Sequence, residues 1–205
     1  MQYDTLATED VVAKTAAALK ARGVETIVVE TGAEALAKIK TLLPPGASVM
    51  NGSSVTLEQI GYIDHLKSGS HGWNNLKAAI VAEKDPAKQR LLRQQSVLSD
   101  YYLGSVHGLA ETGEFVVASN TGSQLPHVVF TSSHLIFVVG TQKIVPTLAD
   151  AIERLETHVF PLEDQHMKNL YGMGTALSKI VIFKRENPAS GRTITMILVN
   201  ERLGF

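Results

Sequence analysis

Two short polar loops carry the side chains best suited to hold a ligand. "NGSSVT" supplies Asn51, Gly52, Ser53, Ser54 and Thr56, and "NTGSQ" supplies Asn120, Thr121, Gly122, Ser123 and Gln124. Each follows an apolar, strand-like run. Hydroxyl and amide donors placed after a strand suit phosphate or carboxylate oxygens, especially beside a glycine that lets backbone N–H groups come close. The same residues are ordinary turn formers and helix caps, so the ligand reading depends on both loops meeting at one edge of a sheet. Neither loop has the lysine of a P-loop or a GxGxxG pattern, so nucleotide binding is not indicated. Three further residues carry reactive groups. Lys143 in "GTQK" follows an apolar run and can neutralise a substrate carboxylate, or else ends the strand in solvent. His107, directly after "GSV", is a candidate general base near neutral pH, against a structural, hydrogen-bonded role. Glu111, in the turn "ETGE", is a weaker catalytic candidate because it requires the turn to fold back over the pocket.

Composition removes several chemistries. The 205 residues include no cysteine, so a thiolate nucleophile, a disulfide, a thiolate zinc site or a cysteine-ligated iron–sulfur cluster has no ligand in this chain. Seven histidines show no HxxxH or HExxH spacing. "HVFPLEDQH" (158–166) gathers two histidines, Glu163 and Asp164, but Pro161 argues against one continuous helical face, and no metal site is expected. A formal net charge of −1 gives no global attraction to nucleic acid or an anionic membrane, and "KQRLLR" (88–93) reads as a solvated helix face. No apolar run reaches the ~18 residues of a membrane span. A cytoplasmic protein is expected, with no cofactor of its own beyond a phosphate-bearing or carboxylate ligand.

The elements that must position these residues are an alternation of helices and strands. Val12, Ala16 and Leu19 form one helical stripe that stops at Gly23, and "TIVVE" (26–30) reads as a strand. "TGAE" (31–34) has capping-box spacing before the stripe Leu36, Ile39, Leu43, which "PPG" ends. "ASVM" (47–50) is a second strand, and "NGSS" leads into another helix. The polar stretch 64–75 reads as an exposed connection, with Trp73 a surface residue. Asp85-Pro86 opens a helix reaching about Ser99. Strands follow at 101–106, 114–119 and 135–140, then a helix from Pro146 to His158. "SKIVIFKRE" and "TITMILVNE", around "NPASGR" (187–192), read as a hairpin extending the sheet. The expectation is one α/β domain over 1–205: a mostly parallel sheet flanked by helices, with 64–99 a largely helical cover.

The chain also resembles a known family. "DYYLGSVHGLAETGEFVVASNTGSQLP" (100–126), "VVGTQKIVPTLADAIERL" (138–155), "PLED" (161–164) and "LVNERLGF" (198–205) are similar to the LUD domain, the family of lactate-utilization protein C. "NGSSVTLEQIG" (51–61) and "KQRLLRQQSVLSDYYLGS" (88–105) extend the likeness over nearly the whole chain. The resemblance implies a fold like that of the NagB/RpiA/CoA-transferase proteins. It also implies a role in organic-acid utilization, L-lactate foremost, with a small anionic metabolite bound where the strands end. A non-catalytic subunit assembling with iron–sulfur partners of a lactate-oxidising system is the alternative, and an orphan transferase or hydrolase a third. "LGSVHGLAETGE" (103–114) resembles a strand–turn whose aspartate transfers protons in sugar-phosphate isomerases. Val106 stands at that position here, which argues against isomerase chemistry by that route.

Overall fold

The computed structural model describes residues 3–205. Its ten strands are β1 (Glu25–Val29), β2 (Ser48–Asn51), β3 (Asn74–Asn75), β4 (Tyr101–Gly104), β5 (Gly108–Ala110), β6 (Phe115–Ser119), β7 (His134–Gly140), β8 (Ile144–Val145), β9 (Lys179–Phe183) and β10 (Thr193–Val199). Eight helices accompany them: α1 (Glu9–Ala21), α2 (Gly32–Leu42), α3 (Val55–Gln59), α4 (Tyr62–Ser68), α5 (Leu76–Ala82), α6 (Pro86–Gln95), α7 (Leu148–Arg154) and α8 (Phe160–Tyr171). None of the described helices is long and apolar enough to cross a membrane.

Six strands form an all-parallel sheet in the order β1-β10-β7-β4-β2-β3, and four form a second sheet in the order β8-β5-β6-β9. Alternation along each strand sorts the side chains into layers. Leu103, Ile136, Val138, Ile197 and Val199 face Ala35, Ile39, Leu57 and Leu66 of helices α2–α4. Their neighbours Tyr102, Leu135, Phe137, Met196 and Leu198 face the other way, against Val12 and Leu19 of α1 and against Leu109, Phe115 and Val117 of the second sheet. The far side of that sheet, Val116, Ala118 and Val145, packs on Ala151, Leu155 and Val159. The continuous apolar runs of β6 and β7 follow, since both strands are covered on two faces.

The helix starts are chemically signalled. Thr8, Thr31, Ser54, Asp85 and Thr147 each accept a backbone N–H at an N-terminus. At "TGAE" half of the capping box forms: Thr31 Oγ1 accepts from Glu34 N, but Glu34 Oε2 accepts from Glu30 N, one residue further back. The reciprocal box lies instead at Thr147 and Asp150.

Four expectations change. The terminal hairpin does not form: β9 pairs antiparallel with β6 at the edge of the second sheet, while β10 runs parallel between β1 and β7. Arg22 contacts the connection between the two strands. Its Nη1 donates to Lys184 O at 2.6 Å and its carbonyl accepts from Glu186 N at 2.8 Å, holding the connection at the end of α1 as the chain crosses between sheets. Strand 114–119 likewise belongs to the second sheet. The polar stretch 64–75 carries most of α4, and Trp73 is buried, stacked on His71 with Nε1 donating to Leu43 O. The helix expected to end at His158 passes through a π turn at Leu155–Val159 into α8. Pro161 is tolerated because it sits at the start of α8, where the missing N–H costs no regular helical hydrogen bond.

Candidate functional site

Strands β2, β4 and β7 run parallel, so their carboxyl ends share one edge, and a cavity of about 540 Å³ opens there. Its lining includes Asn51–Thr56 after β2, Ser105–His107 after β4, and Ser119, Asn120, Thr121, Ser123 and Gln124 at the end of β6. Lys143, in the turn after β7, closes the inner wall. The two polar loops therefore meet. Tyr102 Oη donates to Gln124 Oε1 at 2.8 Å, and Gln124 Nε2 donates to Ala118 O at 2.9 Å. A Cβ on Gly52 would lie 2.7 Å from Tyr102 Oη and 2.8 Å from Gln124 Oε1, so the junction of the loops requires glycine at 52.

Several loop hydroxyls are already occupied. Ser54 caps α3, and Thr56 Oγ1 accepts from Lys143 Nζ at 3.2 Å while donating to Leu203 O. Thr121 Oγ1 donates to Ser123 Oγ at 3.1 Å. Ser53 and Ser123 are exposed on the cavity wall. Asn51 is buried, with Nδ2 donating to Gly52 O. Asn120 is exposed, its Oδ1 accepting from Ser178 Oγ. Gly122 is not part of the lining: its φ of +84° forms the turn, its N–H donates to Ser119 Oγ, and a Cβ there would meet Lys179.

Lys143 is 3% exposed. Its Nζ reaches Thr56 Oγ1 at 3.2 Å, Ser105 Oγ at 3.1 Å and Val106 O at 3.4 Å, and no carboxylate of the described residues lies within 4.0 Å. Burial, reinforced by the Arg154 guanidinium, pushes its pKa down to about 7. The strand-end position predicted from "GTQK" is thus correct, but the side chain turns inward, away from solvent.

His107 is brought to the cavity in a fixed tautomer. The amide of Ala118 donates to Nδ1 at 3.0 Å, so the ring proton sits on Nε2, which has no hydrogen-bond partner among the described residues. Burial, then Lys143 and Arg154, push its pKa down to about 3. A neutral imidazole with its proton on Nε2 is suited to donate a hydrogen bond rather than to act as a general base near neutral pH. Glu111 is elsewhere. It pairs with Lys14 of α1 at 2.8 Å, because the turn folds toward α1 and not over the cavity.

Sequence reasoning missed the mouth. Lys77 of α5 donates to Gly52 O at 3.0 Å, with its pKa lowered by burial; Arg93 of α6 lies beside the same cavity. Glu163 of α8 is the one acid lining it, and burial raises its pKa. His127 stacks on Tyr102 with centroids 4.9 Å apart and bonds Ser99 Oγ at 3.1 Å. Nothing in the local sequence marks Lys77, and Arg93 belongs to "KQRLLR", read as a solvated face, since helix faces directed at a cleft and at water carry the same residues. Glu163, Asp164, His158 and His166 diverge around one continuous helix: Asp164 takes Lys168, and His158 approaches Asp4 at 3.9 Å. Among the described residues no group of three or more His, Asp or Glu is placed to hold a metal ion.

A parallel sheet wrapped by helices, backed by a small second sheet and open at its carboxyl edge, defines an α/β protein with a small-molecule-sized cleft. The chain belongs to the LUD domain family, whose model matches residues 12–202. Comparison with curated proteins gives no match. Among solved structures, the chain is similar to a DUF162 family protein from Deinococcus radiodurans, with a TM-score of 0.56 and 12% identity over 95% of this chain and 99% of that one. That likeness shows a common fold.

Proposed function

We propose that the cavity binds a small carboxylate metabolite, and that the protein serves organic-acid utilization, L-lactate utilization in particular, in the cytoplasm. One observation carries the reading. Among the described residues the charged side chains lining the cavity are Lys77, Arg93, Lys143 and Glu163, three basic groups against one carboxyl whose pKa burial raises. An excess of basic side chains, Lys143 buried and Lys77 partly so, ringed by hydroxyl and amide donors, favours an anion beside it. Membership of the LUD family supports the metabolic setting.

Ligand-observed NMR with lactate and pyruvate tests it. Both should bind, and Lys77→Met should weaken binding by roughly tenfold, the loss expected for a hydrogen bond to a charged group. Absence of binding by any small carboxylate, or unchanged affinity in Lys77→Met, would sink the proposal.

A second reading, a subunit that assembles with an iron–sulfur partner, is favoured by a surface feature away from the cavity's polar wall. Leu98 is 77% exposed and Phe130 76% exposed, on neighbouring turns that pack together. Large apolar side chains left in water on adjacent turns suit a protein partner. Leu98→Glu with Phe130→Glu should abolish co-elution with such a partner while leaving carboxylate binding intact.

A further inference from the structure

Two reactive groups converge on the inner wall of the cavity. Lys143 Nζ is enclosed by the hydroxyls of Thr56 and Ser105 and by the Val106 carbonyl, with no carboxylate beside it. The residue that follows this carbonyl is His107, whose Nε2–H faces the cavity because the Ala118 amide occupies Nδ1. The charged and titratable groups that act on the amine are Arg154 and His107, one cationic and one neutral. Structural lysines are commonly held by an acidic partner; this one is held by neutral oxygens alone, on the wall of a cavity. An amine desolvated in a pocket beside another cation is the setting in which lysine becomes a nucleophile toward carbonyl carbon.

We infer that Lys143 Nζ condenses with the ketone of a 2-oxo acid to form an imine, with His107 Nε2–H polarising the carbonyl oxygen. This rests on the carboxylate-binding reading, since the molecule that condenses is itself a small carboxylate held in the same cavity. The nitrogen lone pair forms the N–C bond as the C–O π pair moves onto oxygen. That oxygen takes up a proton and the nitrogen releases one, giving a carbinolamine. Loss of the oxygen as water leaves the C=N bond, so one water is released per imine and nothing is oxidised or reduced. The lowered proton affinity of Lys143 supplies the free amine at neutral pH.

Reductive trapping decides the matter. The full-length protein is incubated with pyruvate and cyanoborohydride, digested, and mapped by mass, with pyruvate binding followed by NMR on the same preparation. One reduced pyruvyl adduct on Lys143 is expected, forming faster as pH rises through about 7 and levelling above it. Lys143→Arg should form no adduct at that position, and His107→Gln should slow trapping by at least about tenfold, as for loss of a positioned proton donor. The wild-type peptide map stands even if a variant misfolds. Binding with no adduct on Lys143, or a trapping rate that keeps climbing to the ordinary lysine range near 10.5, would overturn the imine and leave carboxylate binding standing. Neither binding nor adduct would overturn both.

Discussion

The loops at 51–56 and 118–126 are built from the same small vocabulary of asparagine, glycine, serine and threonine, yet they do different work. In the first, Gly52 has an ordinary backbone conformation and is pressed against Tyr102 and Gln124, so what matters is the missing side chain. In the second, Gly122 stands clear of the cavity at φ +84°, so what matters is the backbone angle. One glycine lets two loops touch; the other lets one loop turn. Composition does not separate these roles, because one depends on a neighbour brought in from β4 and the other on a torsion.

Three substitutions can break that contrast. Gly52→Val should have the largest effect. It drives Tyr102 and Gln124 apart, costs about 2 kcal/mol of stability by overpacking, and abolishes carboxylate binding, read by denaturant melts and NMR titration. If binding survives, the loops do not need to touch. Tyr102→Phe should be milder: the hydroxyl is lost, Gln124 Oε1 loses its donor, and stability falls by about 1 kcal/mol with affinity down several-fold. An unchanged melt would show that the Tyr102–Gln124 bond does not couple the loops. Gly122→Ala should change binding least. The left-handed φ makes it cost about 1 kcal/mol, while affinity stays within about twofold because the residue lies outside the lining. Lost affinity at equal stability would return Gly122 to the binding surface.

Much of the fold was legible because local chemistry and tertiary demand agree. The stripe Val12–Leu19, the caps at Thr31 and Asp85, and the runs 115–118 and 135–139 each form the element they announce. The partition between sheets was not legible. A run such as "FVVAS" is apolar on both faces wherever it is buried, and periodicity says nothing of which neighbour it pairs with. The hairpin reading failed for the same reason: proximity in sequence favoured β9–β10, while their actual partners, β6 for one and β1 and β7 for the other, are distant in the chain.

The candidate site was half legible. Its hydroxyl loops were visible as breaks in the apolar pattern, and Lys143 as a cation after a strand. Burial of that lysine, and the tautomer of His107 set by an amide eleven residues on, are products of long-range packing. Lys77 left no sequence signal, and Arg93 showed only as the end of "KQRLLR", read as a solvated face.

The position of β10 has a consequence for how the protein is made. It fills the slot between β1 and β7, with Glu25 opposite Thr195, so the edge strand β1 joins the sheet through residues 170 apart in the chain. Until residues 193–199 have left the ribosome, β1 and β7 each present a bare, apolar strand edge to the cell. Pairings of such long range form slowly. The nascent chain is therefore most exposed to misassembly just before the strand that unites its two halves emerges, and it is over that interval that a chaperone would bind it.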